Sequence, residues 1–151
     1  MAKETRAVIV DTYAIMADLL GQASRRAYSV MDSIRLGDVD GLIHYLIVYE
    51  LSYHWRKGRL PFHDLDEIRE FIDTYFRWID IDREIALYAS EIKILGDRIL
   101  RESGINNLRR RRLSICDATS IALAKAYNVP IVSGDSDLSF VARSLGIEVV
   151  W

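Results

Sequence analysis

Pro130-Ile131-Val132-Ser133-Gly134-Asp135-Ser136-Asp137-Leu138 sets the architecture of this chain. It opens on a short apolar run whose β-branched residues, Ile131 and Val132, read as a buried strand. It continues as a small, turning loop that carries two carboxylates. Leu138 to Leu145 follows as an apolar segment, with Phe140, Val141 and Leu145 placed for a helix that stops at Gly146. In open α/β sheets, sites form outside the carboxyl ends of the strands, where such a loop lies. Ser, Gly and Asp are also ordinary turn formers, so this loop alone does not make a site. Two acids this close repel each other unless a cation stands between them.

Upstream of this loop, the same grammar recurs. Ala7-Val8-Ile9-Val10 is a continuous apolar run of the kind buried in parallel sheets, and it ends at Asp11-Thr12. Either residue is also of a type that caps the following helix. Tyr13 to Leu20 and Ser24 to Leu36 read as helices, stopped by Gly21 and Gly37. Leu42-Ile43 reads as a second strand, leading into a helix from about Tyr45 to Lys57. There Glu50 falls inside the apolar stripe of Leu46, Ile47, Leu51 and Trp55, and a carboxylate on a buried face needs a cation or a metal. Tyr45, Tyr49 and Tyr53 form a neighbouring stripe that suits core or a dimer surface.

Asp64 and Glu67 fit a capping box ahead of an amphipathic helix running through Phe76, so these acids are assigned to capping. Trp78 to Ile81 reads as a strand by alternation. Asp82 caps a long helix that ends near Gly104. Ile105 to Arg112 reads as a polar loop and holds Arg109-Arg110-Arg111-Arg112, the one concentrated positive charge. Arginine forks match phosphate, and a solvated loop explains the run equally well. Leu113 to Tyr127 is an Ala-rich helix in which Asp117 aligns with Ile121 and Ala124. An acid there also stabilises a helix N-terminus. Asn128 ends this helix, and Ile147 to Trp151 reads as a last strand. The alternation gives an α/β fold: a three-layer α/β/α sandwich around a mainly parallel sheet, with residues 1–151 as one domain.

Composition bounds the function. The sequence is 50% hydrophobic and 28% charged, which is globular, not disordered. A net charge of −2 leaves no general basic footprint for nucleic acid, although metal ions can supply positive charge locally. No apolar run approaches a membrane span. The stretch Met1 to Arg6 lacks the apolar region of a leader, and with the single Cys116 this gives a cytoplasmic expectation. His44, His54 and His63 do not form a ligand spacing; His54 is one helical turn from Glu50, within reach of contact, and is read as structural. Asp11, Glu50, Asp117, Asp135 and Asp137 come from separate segments, and converging at one sheet edge they would suit Mg²⁺ or Mn²⁺.

These residues carry a resemblance. Strand-ending Asp11-Thr12, Glu50 in Val48-Tyr49-Glu50-Leu51, Cys116-Asp117-Ala118 opening an Ala-rich helix, and Val132 to Leu138 resemble the PIN domain, in particular the small VapC-type toxin ribonucleases. The likeness spans nearly the whole chain. It implies a metal-dependent endoribonuclease with Asp11, Glu50, Asp117 and Asp135 as the acidic site and Asp137 as an additional acid. Ser133 takes the place of a site hydroxyl that is more often Thr. With Thr12 and Arg109 to Arg112, it makes up the expected substrate-binding set. Tyr13 and Leu138 depart from the family pattern, narrowing the entrance and altering packing respectively. The resemblance also implies RNA as substrate, a homodimer, and a small antitoxin that lays a segment across the site.

Other classes fit less well. An aspartyl-nucleophile phosphatase wants a second acid at position 13, which is Tyr. A receiver-type domain wants a late Lys at its site, and Lys125 is mid-helix. The non-enzyme alternative is a PIN-like module that binds RNA or protein without cutting.

Overall fold

The computed structural model describes residues 6–151. Met1 to Thr5, most of the stretch read above as lacking a leader, lie outside the described residues. In chain order the elements are β1 (Arg6–Val10), α1 (Thr12–Leu19), α2 (Arg25–Arg35), β2 (Val39–Ile43), α3 (Tyr45–Arg56) and α4 (Leu65–Tyr75). Then come β3 (Phe76–Trp78), α5 (Arg83–Arg101), α6 (Asn106–Arg109), α7 (Ile115–Tyr127), β4 (Ile131–Val132), α8 (Ser136–Ser144) and β5 (Val149–Val150).

The five strands form one sheet in the order β3-β2-β1-β4-β5, and each neighbouring pair is parallel. Successive strand residues point to opposite faces, which splits the core in two. Val8, Val10, Ile43, Val132 and Val150 pack with α1 to α4 on one face. Ile9, Ile131 and Val149 pack with α5, α7 and α8 on the other. These are the three layers expected. Among the described residues, no helix is long and apolar enough to cross a membrane.

Helix ends follow local chemistry. Ser24, Asp64, Asp82 and Ser114 each accept a hydrogen bond from a backbone N–H in the first turn of the helix they cap. Glu67 reaches back to the N–H of His63 at 2.6 Å, closing the turn predicted around Asp64. Asn128 ends α7 in the left-handed region at φ 53°, a conformation that its short polar side chain tolerates.

Several boundaries differ from the sequence reading; the last strand is Val149–Val150 and not Ile147 to Trp151. The third strand is Phe76–Trp78, not Trp78 to Ile81, because Phe76 turns directly from α4 into extended backbone (φ −122°, ψ 158°) and buries its ring. Strand β2 begins at Val39, ahead of the expected Leu42. The segment read as a loop from Ile105 to Arg112 contains the single turn α6, pinned by buried Leu108.

Candidate active site

Four of the five acids are placed by helix starts, and those starts converge. Asp11 follows β1, is buried, and caps α1 by accepting from the N–H of Tyr13 at 3.4 Å. Asp135 follows β4 and caps α8 through the N–H of Leu138 at 3.0 Å. Asp117 sits in the first turn of α7, where its N–H donates to the capping Ser114 at 3.0 Å. Asp137 is buried in the first turn of α8. Asp11 and Asp135 thus each cap a helix and also line a common cavity, so capping does not take them away from it. Glu50 comes from the second turn of α3 and is half-buried, not fully enclosed in its apolar stripe.

All five acids line one cavity of about 490 Å³, together with Thr12, Tyr13, His54, Ser114 and Arg112. Hydroxyls hold the carboxylates. Thr12 Oγ1 donates to Glu50 Oε1 at 2.7 Å. Ser133 Oγ donates to Asp11 Oδ2 at 2.8 Å and accepts from the N–H of Asp135 at 3.0 Å. Ser133 thus ties the ends of β1 and β4 together beside the cavity that Asp11 lines. Among the described residues, Asp11, Glu50, Asp117 and Asp135 have no ion-pair partner. Asp137 has one, Arg111, at 3.2 Å, while its other oxygen Oδ1 is buried without a partner.

The uncompensated charge shows in the ionisation of the group. Burial, with the charges of Asp135 and Glu50, outweighs the Ser133 bond and pushes Asp11 up to about 7. Burial and the charges of Asp11, Asp135 and Glu50 push Asp117 up to about 8. Asp137 is raised by burial and by Asp135, against the pull of Arg111. Burial and the adjacent Glu50 push the Cys116 thiol upward too, so it is an inert core thiol.

The donor set is oxygen and carboxylate, which fits a hard divalent cation and not a soft one. No three His, Cys, Asp or Glu side chains among the described residues are drawn together at ligating spacing. The acids face a common space without closing on it.

The arginine run divides. Arg112 lines the acidic cavity and Arg111 pairs with Asp137. Arg109 and Arg110 do not line it; all four arginines line a neighbouring cleft of about 260 Å³ with Asp97 and Arg101, and Arg109 and Arg110 also line one of about 540 Å³. His54 lines the acidic cavity, but its ring nitrogen Nδ1 pairs with Arg59 at 2.9 Å and not with Glu50. The tyrosine stripe of α3 is exposed and not core, with Tyr45 tilted against Trp78 at 4.9 Å.

Two contributions escaped the sequence reading. His44 is wholly buried, with Nε2 at 2.8 Å from Ser120 Oγ, so it joins the end of β2 to α7. Trp151 meets Tyr13 edge-on at 5.4 Å beside Gly134. No local signal marks either, because both depend on contacts between segments far apart in the chain.

A model of the PIN domain matches residues 8–144. The chain belongs to the PIN domain family. Among solved structures, a chain of the "Structure of FitAB bound to IR36 DNA fragment" resembles this PIN domain with a TM-score of 0.59 at 19% identity, over 94% of this chain and 92% of that one. At that identity the likeness is one of fold. No curated protein matches the sequence. PIN domains are in general nucleases, and they typically use divalent metals.

Proposed function

We propose that this PIN domain is a metal-dependent endoribonuclease. The observation that carries the reading is the convergence of four carboxylates without cationic partners on one cavity, with Asp11 and Asp117 pushed up by burial and mutual charge. Asp11, Glu50, Asp117 and Asp135 would hold Mg²⁺ or Mn²⁺, with Asp137 as a further acid. An ion held there would lower the pKa of a water and offset charge on the scissile phosphate.

The chain's own residues supply the rest. Thr12 and Ser133 fix the oxygens of Glu50 and Asp11 that they touch, and they leave the other carboxylate oxygens free to ligate. The N-termini of α1, α7 and α8 face the cavity and favour negative charge there. Arg112 at its edge meets a phosphate with a fork, and Arg109 to Arg111 continue the positive track outward. Tyr13 narrows the entrance, so a single strand passes more easily than a duplex.

The biological reading that accompanies this is the toxin of a toxin–antitoxin pair acting in the cytoplasm, with a small antitoxin as partner and the exposed Tyr45, Tyr49 and Tyr53 face as its homodimer surface. The antitoxin partner rests on the resemblance of the acidic motifs to the VapC-type toxins. The test is cleavage of a structured RNA mixture by the purified protein with Mg²⁺, Mn²⁺ or EDTA, beside Asp117→Asn. Cleavage that needs both metal and Asp117 is the expected result. A folded protein that neither cuts RNA nor binds Mn²⁺ would favour the binding-module alternative.

A further inference from the structure

A second cavity adjoins the acidic one and has a different chemistry. It measures about 630 Å³ and is lined by Ser133, Gly134, Ser136, Ser139, Phe140, Arg143 and Trp151, among others. No acid lines it, and Arg143 is its one charged residue. Ser133 joins the two spaces, since it lines this cavity while its hydroxyl holds Asp11.

The partition between them is aromatic. Tyr13 lines the acidic cavity and Trp151 lines the second one, and their rings meet edge-on at 5.4 Å and 78°. Both press on Gly134. A Cβ at that position would lie 2.4 Å from Trp151 Cε2 and 2.7 Å from Tyr13 Cε1. The glycine of the acidic loop is thus required by the rings that flank it. Ser139 is buried on the cavity wall.

We propose that this second cavity binds a nucleobase of single-stranded RNA, next to the phosphate held at the acidic site. This rests on the nuclease reading above. A flat ring of Trp151 or Phe140 offers a stacking face to any base. The hydroxyls of Ser136 and Ser139, and the guanidinium of Arg143, offer hydrogen bonds to a base edge. A polyanionic strand enters a space with one positive and no negative side chain without repulsion. The cavity volume lies within the range of small-ligand pockets. The base beside the cut is therefore read by this cavity, while the acids act on the phosphate.

The test is equilibrium binding of fluorescein-labelled A, C, G and U pentaribonucleotides in Mn²⁺. It uses Asp117→Asn protein, so that cleavage does not interfere. The expected result is a base-dependent affinity. Adding Trp151→Ala should weaken the preferred pentamer about tenfold or more, as loss of base stacking does. Trp151→Phe should retain most of the affinity. Ser139→Ala and Arg143→Ala, which leave the aromatic wall in place, should reorder or flatten the base preference. Unchanged affinity and preference in all four variants would overturn the proposal. So would binding that depends on Arg109 to Arg112 but not on Trp151, or no RNA binding at all. Failure of the wild type to cut RNA overturns the nuclease reading and leaves this binding test to decide the cavity.

Discussion

Asp117 carries a cost that can be measured without substrate. Its carboxyl is pushed up to about 8 in the folded protein, from an ordinary 3.8. A raised carboxyl binds its proton more readily folded than unfolded, so stability is gained as pH falls from about 8 toward 4 and is lost as pH rises. Asp117→Asn removes the charge and the penalty. Without metal, the variant should melt about 5 °C above wild type at pH 8, with the gap closing by pH 4, on the usual scaling of stability to melting temperature. Thermal denaturation in EDTA across that range checks it. Thr12 acts through Glu50, so Thr12→Val should keep the fold and weaken Mn²⁺ binding about tenfold to a hundredfold, as loss of an outer-shell hydrogen bond does. Calorimetric titration reads that directly. His44 has the opposite sign. Burial pulls it down from 6.5 to about 4, so its contribution is complete above 6.5 and drains away as pH falls to 4. The loss is about 3 kcal/mol at most. His44→Gln, which has no proton to gain, should flatten the acid limb of the stability profile.

Among the elements, the link between α5 and α7 is held by Asp97. Its Oδ1 accepts from the N–H of Leu113 at 2.8 Å and its Oδ2 pairs with Lys93 at 2.7 Å. Burial opposes its ionisation, and these bonds with the nearby Arg112 charge outweigh it, holding the carboxyl below its usual range. Asp97 therefore fixes the chain just after the arginine run and just before Asp117. Asp97→Ala should cost about 2 kcal/mol, the worth of a hydrogen bond to a charged group. It should also raise hydrogen exchange at Leu113, readable by mass spectrometry. The helices other than α6 were legible because their caps and stops are local: Ser24, Asp64 and Asp82 at the starts, Gly21, Gly37 and Asn128 at the ends. Strand β2 was legible only in part. Asp40 pairs across to Arg77 of β3 at 3.3 Å, and Gly41 makes room for Ile34 and Phe76, whose atoms would stand 3.0 Å from a Cβ there. A polar residue and a glycine kept by tertiary neighbours hide a strand from any local pattern. Phe76 misled for the same reason, since a buried ring suits a helix face and a strand equally.

Across the fold, parallel topology does the assembling. Strands β1 and β4 are adjacent, so Asp11 and Asp135 arrive side by side although 124 residues apart in sequence. The acids were legible because a carboxylate at a buried strand end or on an apolar helix face is costly unless a cation meets it. The aromatic wall of Tyr13 and Trp151, and the division of the arginine run between the acidic cavity and its flank, were not legible. They depend on where the last strand and α6 come to rest. Binding that favours only the folded state stabilises the whole chain by mass action. Mn²⁺ at about a hundred times its Kd should add about 2.7 kcal/mol. That gain should shrink when any of Asp11, Glu50, Asp117 or Asp135 is neutralised, as differential scanning calorimetry would show.

Whether the acids hold a metal is decided by an anomalous difference map from crystals grown with Mn²⁺. Manganese is expected in the cavity between Asp11, Glu50, Asp117 and Asp135, with carboxylate oxygens as its protein ligands. A well-ordered cavity that stays without manganese at saturating concentration, or manganese bound only elsewhere, would contradict a metal-dependent nuclease.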